Sequence, residues 1–176
     1  MALLKDSVEF QLAIGNRSDS ASDAANSSIV SLLRKALESN IAQVATKIYT
    51  FSTLTTGAVG THVLFTVTGV VKVKVYAVCI TSVVPAVGGA TIEVGTPTET
   101  AGIIAQTTAA DLIAGEIWDD DSPTTKIEPD SAIPEVVIGD GSDIGIKIAT
   151  QAVASGVVEF RVEYTPISSD GALVAV

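Results

Sequence analysis

The sequence predicts a mainly β protein: an antiparallel, jelly-roll-like β-sandwich preceded by an N-terminal extended arm and one amphipathic helix. Three observations carry that expectation. More than a hundred residues after position 48 are written in Val, Ile, Thr, Gly and Ala with period-two alternation. Gly and Pro punctuate them at short intervals, as the turns of a sandwich require. Before them, apolar residues recur at steps of three and four, the spacing of one helix face. The expected organisation is an arm and linker over 1–27, an oligomerisation helix over 28–48, a sandwich over 49–167 and a loose tail over 168–176.

The bulk composition limits what else the chain can be. Its 176 residues suffice for one domain with its own core. Hydrophobic residues make up 47% but aromatics only 5%, so small aliphatic side chains must fill that core. No apolar run approaches the 18 residues or so of a membrane-crossing helix, and Met1–Asp6 lacks the basic and apolar regions of a secretory signal. We therefore expect no membrane partner. A formal charge of −10, without any Lys or Arg cluster, excludes phosphate-backbone binding from the expected roles, so no nucleic-acid partner is expected either.

Along the chain, Val8, Phe10, Leu12 and Ile14 share one parity and predict an extended arm able to lie against a neighbour or a larger assembly. The small polar stretch 15–28 reads as a linker, and Asn26, Ser27 or Ser28 can cap the helix that follows. In that helix Ile29, Leu33, Leu37, Ile41, Val44 and Ile48 form an apolar stripe, with Asn40 beside it to hydrogen-bond across a symmetric interface. Leu33, Leu37, Asn40, Ile41, Val44 and Ile48 are the expected self-association residues, with packing of the stripe onto the chain's own β domain as the alternative. Two eleven-residue spacings, Leu33 to Val44 and Leu37 to Ile48, depart from a strict heptad.

Strands are expected at 50–54, 62–67, 70–80, 90–94, 102–106, 115–118, 144–148 and 156–165, with one at 124–128 in a Pro-rich stretch. In the third of these Val71, Val73, Val75, Ala77 and Cys79 face one way, and Lys72, Lys74, Tyr76 and Val78 the other. In the last, Val158, Phe160, Val162 and Tyr164 oppose Glu159, Arg161 and Glu163.

Chemistry has few candidates. His62 is the sole histidine and Cys79 the sole cysteine, so neither a histidine metal site nor an internal disulfide is available. Both read as packed strand residues. Asp119, Asp120 and Asp121 form the densest carboxylate run but lack the ligand spacing of a calcium loop; a solvated loop is the expectation. Trp118 beside it reads as a core anchor. No catalytic residue, metal or cofactor is expected, and the chain is not read as an enzyme.

Two stretches carry a resemblance. Residues 15–22 (Gly-Asn-Arg-Ser-Asp-Ser-Ala-Ser) with 28–34 (Ser-Ile-Val-Ser-Leu-Leu-Arg) resemble a linker-and-helix element of tailed-bacteriophage virion proteins. Residues 89–95 and 101–118 are similar to the β domain of phage structural proteins. The resemblance implies a head decoration, cementing or head-fibre protein of the virion, assembled in the host cytoplasm. It implies a homotrimer whose arm (Val8, Phe10, Leu12, Ile14) docks to the major capsid protein or another virion protein, with the β domain outward. The broken heptad favours a short trimer neck over a long stalk. The alternative is a receptor- or glycan-binding module of a tail or baseplate, reading its ligand through Trp118 and Asp119–Asp121.

Overall fold

Residues 42–124 and 130–176 are described by the computed structural model. They form ten strands: β1 (Gln43–Thr50), β2 (Gly60–Thr68), β3 (Val71–Pro85), β4 (Thr91–Gly95), β5 (Ile104–Thr108), β6 (Ile117–Trp118), β7 (Glu135–Ile138), β8 (Ile144–Ala149), β9 (Val153–Pro166) and β10 (Ala172–Ala175). Two short 3₁₀ turns, Ala109–Asp111 and Asp130–Ala132, interrupt them.

The strands make two antiparallel sheets. One has the order β1-β9-β3-β6, with β7 pairing a different stretch of β3; the other has the order β10-β2-β8-β4-β5. The pairs are nested: β1 with β9, β2 with β8, β3 with β7, β4 with β5. Each alternating strand turns its β-branched and aromatic side chains inward, where they bury apolar area worth about 25 cal/mol per Å². Val71, Val73, Val75, Ala77 and Cys79 of β3 and Val158, Phe160 and Val162 of β9 meet Ile92, Ile144, Ile146 and Ile148 of the second sheet in one buried cluster. This is the arrangement of a β-sandwich, as the alternation predicts.

Backbone contact explains two glycines. Gly156 has φ +135°, and a Cβ there would sit 2.8 Å from Val83 Cα, in the stretch where the β3–β9 register slips. At Gly57 a Cβ would collide with the Val153 carbonyl oxygen, which the tight Ser52–Gly57 turn brings against β9.

Several boundaries differ from the sequence expectation. The helix expected over 28–48 does not reach Ile48: Gln43–Thr50 is a strand paired residue for residue with Val157–Tyr164 of β9. Residues 28–41 lie outside the described residues, as does the arm. The strand expected at 50–54 is displaced to 43–50, and Thr53–Gly57 is a turn. The tail expected to be loose pairs instead as β10 with β2 and buries Leu173. The sandwich therefore spans Gln43 to Ala175 rather than 49–167. Strand β7 was not anticipated in its Pro-flanked stretch, while Thr124 makes an isolated bridge to Ile117.

Candidate interaction surface

The residues with the most chemical potential are committed to the framework. Trp118 is fully enclosed, packs edge-on against Phe160 with ring centroids 6.1 Å apart, and donates from Nε1 to Thr107 Oγ1 at 2.9 Å. It is the anchor the sequence suggested and offers no platform to a ligand. Asp119 beside it is buried, so only Asp120 and Asp121 of the acidic run face solvent. Among the described residues no group of three or more His, Cys, Asp or Glu side chains is placed to hold a metal ion. Cys79 is buried; loss of hydration and then the nearby Glu116 charge push its thiol pKa up, away from the reactive thiolate. His62 Nε2 lies 2.9 Å from the Ala58 carbonyl oxygen, as a packed strand histidine should.

One buried carboxylate is held on the outer side of the second sheet. Glu93 accepts from Thr100 Oγ1 at 2.6 Å and from Gln106 Nε2 at 3.1 Å, and pairs with Lys147 Nζ at 3.1 Å. Burial works against its ionisation, but these hydrogen bonds and the Lys147 charge prevail and hold its pKa below the ordinary value. The 96–103 connection lies over it: Gly95 approaches the Glu99 carbonyl so closely that a Cβ would overlap it. This cluster is a clasp for that connection.

Among the described residues no connection covers the outer side of the first sheet. Strand register sets its rows: Val44–Glu163–Lys74–Glu135, Thr46–Arg161–Tyr76, and Ile48–Glu159–Val78–Ile117. Val44 and Ile48 are 65% and 63% exposed, and Ile80 and Val137 are also exposed on these strands. Charged groups here are paired within the face: Lys72 with Glu135 at 3.0 Å, Lys74 with Asp130 at 2.8 Å, Arg161 Nε with Glu159 at 3.1 Å. The Asp130 hydrogen bond holds the Lys74 pKa up, and Glu159 and then Tyr76 do the same for Arg161. A hollow of about 90 Å³, lined by Lys72, Lys74, Glu135, Glu163 and neighbours, indents this face. It admits a few waters but falls well short of the roughly 300 Å³ at which small-molecule sites begin.

Of the expected self-association residues, the structure thus brings Val44 and Ile48 to one exposed sheet face, four residues apart on β1. Leu33, Leu37, Asn40 and Ile41, and the arm residues Val8, Phe10, Leu12 and Ile14, lie outside the described residues. Sequence reading missed the partnership of Val44 and Ile48 with Tyr76, Val78 and Arg161, because it depends on a pairing between strands more than a hundred residues apart. The outward parity of Lys72, Lys74, Tyr76 and Val78 was the available signal. Comparison of the chain with protein-family models, curated proteins and solved structures gives no match.

Proposed function

We propose that this chain is an oligomeric structural protein of a phage virion, a decoration, cementing or head-fibre component, built on a jelly-roll-like sandwich. The observation that carries this reading is the nesting of strand pairs, β1/β9, β2/β8, β3/β7 and β4/β5, which is what rolling up one long antiparallel hairpin produces. That architecture recurs in viral shell and lectin domains. Fold alone does not choose between them, since function resides in sites. Two further points favour assembly. Trp118, on which a glycan-reading surface would depend, is enclosed, and Val44, Ile48, Ile80 and Val137 stand exposed on strands of the first sheet.

In this reading the stripe Leu33, Leu37 and Ile41 joins sister subunits, the arm residues Val8, Phe10, Leu12 and Ile14 dock to the shell, and the acidic remainder of the sandwich faces solvent. Sedimentation velocity on the full chain tests self-association: Leu37→Asp with Ile41→Asp is expected to lower the assembled mass to that of a monomer. Imaging of purified particles with an antibody to the sandwich tests location. A chain absent from particles, or labelling restricted to tail tips, overturns the head-decoration reading.

A further inference from the structure

We propose that the outer face of the β1–β9–β3 sheet is an interface for a second copy of this chain. The inference goes beyond the stripe at 33–41, because it stands on described residues of the sandwich alone.

Composition is the first support. Tyr76 and Arg161 sit side by side in the middle row of the face, Ile48, Val78 and Ile117 stand in the next row, and Val157 lies one row beyond. A central Tyr and Arg bordered by aliphatic side chains is the make-up of binding hot spots. Ion pairing within the face lowers the cost of covering it, because Lys72, Lys74 and Arg161 already have carboxylate partners.

Charge then selects the occupant. This face carries three cations (Lys72, Lys74, Arg161) against four carboxylates (Asp130, Glu135, Glu159, Glu163), whereas the other described residues hold two cations, Lys47 and Lys147, against ten carboxylates. Two copies of so acidic a chain repel over most of their surface. Here they meet near neutrality, and across a two-fold axis the Lys74–Glu163 row of one copy can oppose its mirror order in the other. A strongly basic partner would be drawn to the acidic remainder instead.

Geometry fits as well. Eight residues of β1, about ten each of β9 and β3 and the short β6 and β7 beside them, at about 4.8 Å by 3.3 Å per residue, cover on the order of 500 Å² in projection, a sizeable part of the roughly 800 Å² per partner of a standard interface. Pairing along the edge of β1 that no described strand occupies is the competing way to join two copies. Lys47 opposes it: its side chain lies across the seam at that edge and donates to the Val176 carbonyl oxygen, placing an inward-turned charge where an added strand would pair.

The experiment uses the full chain and its three tyrosines. Tyr49 and Tyr164 are buried and Tyr76 is the outward one, so tyrosine nitration reads this face. Sedimentation and nitration are followed together over a concentration series, for wild type, for Ile48→Glu with Val78→Glu, and for Leu33→Asp with Leu37→Asp. The expected result is that Tyr76 nitration falls as mass rises, and that the sheet-face pair weakens association about a hundredfold and restores nitration. The wild-type series needs no variant to fold, so misfolding of the pair leaves the proposal testable. Equal nitration of Tyr76 at every concentration while mass rises overturns it and leaves the stripe reading standing. Protection of Tyr76 in a chain that stays monomeric also overturns it, in favour of cover by the chain's own preceding residues. Loss of association in the stripe variant, with the sheet-face pair still assembling, removes the face and retains the stripe.

Discussion

The two outer faces of the sandwich differ in what covers them. On the β4–β8 side, Thr100 of the 96–103 connection, Gln106 and Lys147 converge on Glu93, which is only 5% exposed. On the β1–β9–β3 side the ion pairs are open to water, and Val44 and Ile48 stand mostly exposed between them. Both faces tie elements together with paired charges, yet among the described residues only on the first is a connection laid over the pair. The difference separates a wall made for the fold from one left for something else.

Both faces rest on the same core, so the largest effect is expected where that core is tied together. Trp118 of β6 packs on Phe160 of β9 and donates to Thr107 of β5, joining the two sheets. Trp118→Ala removes that volume and leaves Thr107 without its donor; a loss of about 4 kcal/mol is expected in chemical denaturation. A loss under about 1 kcal/mol would mean the sheets are joined elsewhere.

Next comes the clasp itself. Glu93→Ala strips Lys147, Thr100 and Gln106 of a shared acceptor, and a cost of about 2 kcal/mol is expected, below that of a fully buried pair because Lys147 is partly solvated. The matching change on the open face, Glu135→Ala, is expected to cost less than about 0.5 kcal/mol, since Lys72 and Glu135 are both well exposed. Equal costs for the two would erase the distinction between the faces.

Acid sharpens the same contrast. Glu93 in the folded chain ionises below its ordinary value of 4.5. Its contribution is therefore fully present above about pH 4.5, and it is lost as pH falls through the lower folded value, where the native carboxylate takes up its proton. Wild type should lose stability over that range more steeply than Glu93→Gln, which has no proton to bind. Parallel acid-denaturation curves for the two would show that the clasp does not depend on charge.

How far this contrast was visible beforehand depends on the range of the interaction concerned. Local alternation marked the inward and outward sides of β3 and β9, and with them Cys79 and the outward Lys72, Lys74 and Tyr76, while Trp118 stood out as the sole tryptophan. It failed at Gln43–Ile48. Ile41, Val44 and Ile48 are spaced three and four apart, which suits a helix, but Val44, Thr46, Ile48 and Thr50 share one strand parity and are all β-branched. A spacing of four satisfies both periods. Pairing with β9, supplied by residues 157–164, decides between them, and that contact cannot be read from a window of a dozen residues. The same holds for β10, four residues whose partner β2 lies about a hundred positions earlier. The clasp was illegible for a related reason: Glu93, Thr100, Gln106 and Lys147 carry no motif and meet only because β4 lies between β5 and β8.

The smallest expected effect bears most directly on the open face. A side chain already 63% exposed in the monomer has little burial to lose, so Ile48→Thr, which keeps the β-branch, should change the unfolding free energy by no more than about 0.5 kcal/mol. The measurement belongs at a concentration where the chain sediments as a monomer, with a second at high concentration. Anything stabilised by association rises in stability with protein concentration by mass action. A neutral effect when dilute that becomes a clear loss when concentrated is the signature of an aliphatic side chain covered by another copy. A loss of about 2 kcal/mol at both concentrations would instead place Ile48 under cover within one chain, and the two faces of the sandwich would then be equally closed.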